Sequence, residues 1–308
     1  MENKALPLHL KYRPKSFDEF FGNESLIVSL KSIFLRKEGL PHSFLFAGPS
    51  GCGKTTLARI IKEKLSCHDG DFYEYNVANV RGIDTIREII ANSSYSPKGG
   101  ECKIYLLDEA HKLTNDAQNA LLKLLEDTPA HVYFVLCTTD PEKLLKTIRN
   151  RCTSFRVSSL PMPRLVTMIK DICLKEKAEL FSEAYKAIAD AADGSPRAAL
   201  VILDSVIDIE DDEDLLNAID KVSASSNNAL DLCQALIKNM SWNKVAKIIN
   251  QIEEEPEKIR YAILTYMSKA LLNSENRRAY EILPYFLESY IYSGKAGLIL
   301  SCYKSSKK

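Results

Sequence analysis

No C-x-x-C pair occurs among the eight cysteines, at 52, 67, 102, 137, 152, 173, 233 and 302, so neither a zinc site nor a disulfide framework is indicated. Most of them sit inside apolar segments, where reduced, buried thiols belong. An uncharged apolar run near 20 residues is also missing. The first ten residues carry Glu2, Lys4 and His9 among their apolar neighbours, which excludes a signal-peptide core. The expectation is a cytoplasmic protein, nucleoid-associated or, in a eukaryote, nuclear, with no membrane partner. Net charge is lacking too: 41 Lys and Arg balance 41 Asp and Glu, so no long-range field gathers polyanions, and any nucleic-acid contact must come from a local patch. With 12 Gly, 12 Pro, one Trp and 45% hydrophobic residues, the biases of disordered or fibrous chains are absent. What is present is 308 residues of ordinary globular composition, enough for two or three domains.

The first 160 residues alternate short β-rich runs with helical patterns, the signature of a parallel sheet covered by helices. Strands are expected at Ser43 to Ala47, Phe72 to Val77, Lys103 to Leu107, Val132 to Cys137 and Ser154 to Val157. Between them, Leu57, Ile60, Ile61 and Leu65, then Ile83, Ile86 and Ile90, then Ala117, Leu121, Leu124 and Leu125 recur at helical spacing. After Leu160-Pro-Met-Pro163 the strand signal stops. A short helical unit follows to about Val206, and the acidic run Glu210 to Asp214 reads as a solvated linker or helix start. Four to six helices are expected from Asp214 to Cys302, broken at Ser225-Ser-Asn-Asn228, Glu253-Glu-Glu-Pro256 and Ser293-Gly294. The fold class is therefore α/β, with a parallel-sheet domain at 1–160, a helical domain at 161–207 and an all-α domain at 208–308.

Two segments carry chemistry. Gly48-Pro-Ser-Gly-Cys-Gly-Lys-Thr55, followed by Thr56, stands between a strand and a helix, where a phosphate-binding loop belongs. Its glycines let backbone N–H groups wrap phosphates, the helix start adds its dipole, Lys54 reaches the β and γ oxygens, and the Thr55 hydroxyl can hold Mg²⁺. Pro49, Ser50, Gly51, Cys52 and Gly53 complete the cradle. Lys103-Ile-Tyr-Leu-Leu-Asp-Glu-Ala-His111 is an apolar strand ending in two carboxylates, and ligands of open α/β sheets bind beyond such strand ends. Asp108 suits the magnesium shell and Glu109 suits an attacking water, which favours hydrolysis over transfer to a bound hydroxyl. An acidic helix cap is the plain alternative for both. His111 reads as a surface or cap residue and is left without a role.

These residues, taken with Lys11-Tyr-Arg-Pro14, Phe17-Asp-Glu-Phe-Phe-Gly22, Arg81-Gly-Ile-Asp-Thr-Ile-Arg87 and Ala117-Gln-Asn-Ala-Leu-Leu-Lys123, resemble an AAA+ sliding-clamp loader ATPase, over about two thirds of the chain. The likeness is to small subunits of replication factor C and to the gamma/tau subunit of bacterial DNA polymerase III. It implies an AAA+ domain, a helical lid and a collar that holds subunits together. It also implies ATP and Mg²⁺ as cofactors, with Tyr12, Arg13 and Pro14 at the nucleotide, and other loader subunits, a sliding clamp and primer–template DNA as partners. By the same resemblance Thr139 is sensor 1, with Thr138 beside it as a rival. Arg151 in Arg149-Asn-Arg-Cys152 is the finger for a neighbour's nucleotide, although Asn150 stands where serine is usual. Arg197 in Gly194-Ser-Pro-Arg197 is sensor 2, where a cation at a helix amino terminus wants an anion nearby; a solvated arginine is the alternative. Arg81 and Arg87 would track DNA phosphates, and a salt-bridged face with Asp84 and Glu88 is equally compatible with the sequence. Gln118 and Lys123 fall on the helix that links the DNA surface to the active site, and Asn92 to Gly100 falls where the family meets the clamp. The cysteine-rich zinc segment of gamma/tau is represented only by Cys67, so zinc is expected to be absent and the lean is toward the replication factor C or phage type. In the collar, Trp242, Tyr261, Tyr266 and Phe286 are expected in the core. The function implied is ATP-driven opening and loading of a clamp during DNA replication. The alternatives are another DNA-dependent AAA+ ATPase, such as a branch-migration motor or transposition regulator, and a nucleotide-stabilised scaffold.

Overall fold

The computed structural model describes residues 6–306 apart from 37, 79–81, 253–254, 275 and 291, with side chains described outside 220–228, 230, 251, 269 and 273–274. The chain divides into two compact units, residues 1–216 and 217–308.

The first unit is built on strands β1 (Ser43–Ala47), β2 (Phe72–Asn76), β3 (Lys103–Asp108), β4 (Val132–Thr138) and β5 (Thr153–Arg156). All pair in parallel, in the order β2-β3-β4-β1-β5. Ile104–Leu107 and Phe134–Cys137 are wholly buried, as expected where helices cover both faces and strands become continuous apolar runs. Alternation along β1 assigns the faces: Phe44 and Phe46 pack with Leu57, Ile60 and Ile61, whereas Leu45 packs with Ile86, Ile89 and Leu121. The helices are α1 (Leu8–Lys11), α2 (Glu24–Phe34), α3 (Lys54–Lys64), α4 (Ile83–Ser93), α5 (Asn115–Glu126) and α6 (Lys146–Arg151). The five expected strands are all found, β1 with the expected bounds and the others with ends moved by at most one residue. At β5 the ladder continues one bond further, from the Val157 amide to the Ala47 carbonyl at 2.8 Å, which explains the shifted boundary.

Three helices complete this unit: α7 (Met162–Glu176), α8 (Ser182–Ala191) and α9 (Pro196–Val206). Pro161 precedes the first and Pro196 opens the last, where a missing N–H does no harm. Ser195 caps α9, its hydroxyl accepting from the Ala198 amide at 3.2 Å, and Gly194 takes a left-handed φ of 77° that allows the sharp turn.

The second unit holds most of α10 (Asp212–Ile237), then α11 (Trp242–Gln251), α12 (Pro256–Ser274), α13 (Arg277–Ile282) and α14 (Gly294–Ser306). The break expected at 293–294 is found before α14; that at 253–256 falls partly on 253–254, outside the described residues, with α11 ending at Gln251 and α12 opening at Pro256; the one at 225–228 is not found, because α10 runs through it. Serine and asparagine lower helix propensity by only about half a kcal/mol each, and no Gly or Pro interrupts this stretch. Phe286 is fully buried, with Trp242 and Tyr266 packed partly against the same core. Tyr261 departs from expectation: it is 60% exposed, with the Arg260 guanidinium 4.5 Å from its ring centre.

Candidate nucleotide site

Backbone geometry around the 48–55 loop leaves little freedom of sequence. Gly51 and Gly53 have φ of 72° and 99°, and a Cβ on Gly48 would lie 1.9 Å from the Val157 carbonyl oxygen. The chain can thus turn tightly from β1 into α3. Lys54 opens α3 and is buried, its ammonium donating to the Gly48 and Pro49 carbonyls at 2.8 and 2.7 Å. The Thr55 hydroxyl donates to Asp108 Oδ2 at 3.0 Å, so the start of α3 and the end of β3 bring two hard oxygen ligands to one point.

Beyond Asp108 the chain turns through Glu109, which holds a left-handed φ of 55° although it is not glycine. Such strain persists only where the surroundings hold it; here the Glu109 amide donates to Asp108 Oδ1 at 3.0 Å. Glu109 Oε2 lies 3.5 Å from Thr139 Oγ1 and 3.4 Å from His111 Nε2. Burial pushes the His111 pKa down, against the pull of Glu109. Thr138 is fully buried and turned toward His111 and the Asp140 amide, so of the two threonines it is Thr139 that approaches Glu109.

A cleft open to solvent joins these parts. Its polar wall is Ser50 to Thr56 with Asp108 and Glu109. Tyr12, Arg13 and Pro14 enter from the amino-terminal segment, and Pro196 and Arg197 from the start of α9. The loop and α9 touch directly, the Arg197 amide reaching the Gly51 carbonyl at 3.4 Å. Arg13 has its pKa lowered by burial first and then by the nearby positive charges of Arg59 and Arg197, with Glu74 opposing. This concentration of cations next to a helix amino terminus suits a polyanion. Tyr12 is pushed up to about 12 by burial and by its hydrogen bond to Glu176 of α7.

Of the remaining sequence-derived candidates, Gly48 and Pro49 lie behind the wall and offer their carbonyls to Lys54. Arg151, at the end of α6, is outside the lining and bonds to the Thr147 carbonyl at 3.0 Å and to Glu126. Arg87 is exposed and paired with Asp84 at 3.1 Å; Arg81 lies outside the described residues. Gln118 is buried, donating to the Leu113 and Lys143 carbonyls and accepting from the Leu145 amide at 2.8 Å.

An apolar wall from Phe20, Phe21, Met168, Ile172 and Leu200, with His9 at its edge, was not legible beforehand. Met168 and Ile172, four apart on α7, carry the same signal as any core-facing pair. Its pairing with a polar loop suits a flat apolar base attached to phosphates. The donor set fits Mg²⁺ equally well, since that ion takes one or two protein oxygens and completes its shell with water and phosphate.

The eight cysteines are all buried free thiols. Among the described residues no helix is long and apolar enough to cross a membrane.

Comparison with known proteins extends the picture. Residues 71–161 match the family model described as DNA polymerase III, delta subunit. The DNA polymerase III gamma subunit of Buchnera aphidicola is 32% identical over 266 residues, covering 79% of this chain and 73% of that protein. The gamma/tau subunit of Mycobacterium tuberculosis is 34% identical over 225 residues, 66% of this chain and 39% of its own length. The tau subunit of Escherichia coli is 31% identical over 264 residues, 78% of this chain and 41% of its own length. The chain therefore spans about two fifths of these longer relatives. Among solved structures, the RuvB Holliday junction branch migration motor of Thermotoga maritima shares the fold, with a TM-score of 0.59 at 24% identity, covering 77% of this chain and 84% of that one.

Proposed function

The chain belongs to the family of DNA polymerase III gamma and tau subunits, and on that footing we propose that it is an ATP-hydrolysing subunit of a sliding-clamp loader. Membership of the gamma/tau family draws the assignment from the replication factor C side of the lean above to the gamma/tau side and leaves the phage alternative open. In this reading the parts are an AAA+ domain at 1–160, a lid at 161–207 and a collar at 208–308. Its partners are other loader subunits, a sliding clamp and primer–template DNA.

The observation that carries the proposal is the 3.0 Å contact of Thr55 with Asp108, which sets a phosphate loop against a carboxylate pair at the mouth of a parallel sheet. Backbone amides of residues 50–55 would cradle the phosphates of ATP, and Lys54 would leave the loop carbonyls for the β and γ oxygens. Thr55 and Asp108 would hold Mg²⁺, which when bound neutralises charge on the phosphate oxygens. Glu109 would accept a proton from the attacking water, with Thr139 orienting it. Arg197 would report the γ-phosphate to the α7–α9 layer, and Arg151 would act on the adjoining subunit's nucleotide. Arg87, together with Arg81, is assigned to DNA phosphates.

The test is Glu109→Gln in the assembled loader. ATP binding should persist while turnover stimulated by clamp and primed DNA falls about 100-fold or more. Undiminished turnover refutes the assignment. Stimulation by primed DNA alone, indifferent to the clamp, would instead favour a motor of the branch-migration kind.

A further inference from the structure

Glu109 is approached from a second side by a side chain to which the chemistry above gives no part. His111 Nε2 is 3.4 Å from Glu109 Oε2, and its other ring nitrogen, Nδ1, is 3.0 Å from the hydroxyl of Thr138 at the end of β4. That hydroxyl already accepts the Asp140 amide at 3.0 Å. A hydroxyl carries one proton and two acceptor lone pairs, and with that proton directed at Nδ1 the latter is the unprotonated nitrogen. In that tautomer the ring proton of a neutral imidazole sits on Nε2, facing Glu109 at 3.4 Å. Burial favours this neutral form, Lys143 and Lys112 reinforce it, and Glu109 and Asp140 oppose it. The ring is 10% exposed and Thr138 is fully buried, so water competes poorly for either contact.

We infer that His111 is a positioning residue for Glu109: a relay from the Asp140 amide through Thr138 and the imidazole holds the carboxylate in one orientation and ties it to the end of β4. This rests on the reading of Glu109 as the base. The 3.4 Å separation exceeds a formed hydrogen bond, and contacts of this kind commonly tighten only when substrate closes the site. Thr139 approaches the same Oε2 atom from the same strand end, so a nucleotide-dependent shift of that end would reach Glu109 by two routes at once.

The experiment compares His111→Ala, His111→Gln and His111→Asn in the assembled loader, with clamp and primed DNA, and Glu109→Gln alongside. Misplacing a catalytic group costs about tenfold to a hundredfold, so His111→Ala should lower kcat by that factor with the Kd for ATP and the melting temperature held. Glutamine, whose amide nitrogen reaches the Nε2 position, should restore most of the rate, and asparagine, which reaches only the Nδ1 position, should not. Wild-type kcat in His111→Ala overturns the inference. So does an equal loss in the alanine and glutamine variants accompanied by weaker ATP binding or a lower melting temperature, which makes His111 a packing residue. If Glu109→Gln abolishes turnover while His111→Ala is silent, only the positioning role fails; if Glu109→Gln is itself silent, the reading of the base fails first.

Discussion

At position 48 only a hydrogen fits. The Val157 carbonyl oxygen is backbone and cannot swing aside, so Gly48→Ala must push β5 and the phosphate loop apart. Overpacking of this kind costs about 1–3 kcal/mol. Urea denaturation should register that loss, and an unchanged midpoint would mean that the loop relaxes freely. The contrast with Gly39 is instructive, since nothing lies within 4 Å of a Cβ there and its positive φ alone restricts it. Residues whose placement depends on a local pattern, such as Lys54, Thr55 and Asp108, could be expected together in the cleft from spelling and position. His111 could not, because its significance lies in two contacts, one across to Thr138, that no spacing along the chain encodes.

Among the elements, α5 shows how a helix can be both scaffold and connection. Thr114 caps it, accepting from the Ala117 amide at 3.3 Å, and Ala117, Leu121, Leu124 and Leu125 form the face against the sheet. Gln118 belongs to the buried face yet is polar, and its amide joins the start of α5 to the loop after β4. Gln118→Leu preserves volume but leaves the Leu145 amide and two carbonyls short of a partner. Stripping buried groups of partners should destabilise the first unit by about 2 kcal/mol or more. Chemical denaturation at neutral pH would check this; a neutral result would mean that water replaces the amide. The apolar rhythm of α5 was readable, as were all five strands, since helix and parallel strand impose different periods on buried positions. The continuity of α10 was not, because weak helix formers are overridden when nothing forbids the helix.

For the whole molecule two tests stand out. In the second unit Glu257 accepts from Arg260 at 2.6 Å and from the Tyr290 amide at 2.7 Å, and these bonds hold its pKa at about 2, below the usual 4.5. A depressed carboxylate contributes stability fully present above its unfolded pKa and lost as pH falls toward the folded one. The expected window is therefore from about pH 4.5 down to about 2. Glu257→Gln should be less stable at pH 7 and show a flatter acid response in that window, followed by circular dichroism; a response as steep as wild type would assign the acid sensitivity to other groups. The second test concerns assembly. Arg151 lies outside its own cleft, so Arg151→Ala and Glu109→Gln should each be inactive in a loader with adjacent copies of this chain. Mixing the two should recover part of the turnover, because some interfaces then unite an intact pocket with an intact finger. No recovery at any ratio would tell against action between subunits.

The amino-acid order by itself determined the alternation of strands and helices, the phosphate loop and the carboxylate pair, because each is written in neighbouring residues whose backbone demands are local. Tertiary structure alone decided what stands across from them. Residues separated by more than a hundred positions, such as Phe20 and Met168, become one wall only when the α7–α9 layer and the amino-terminal segment meet over the sheet. His111 likewise comes between Glu109 and Thr138 of β4 only through the fold. Burial and hydrogen bonding act through space, and distance along the chain carries no record of them.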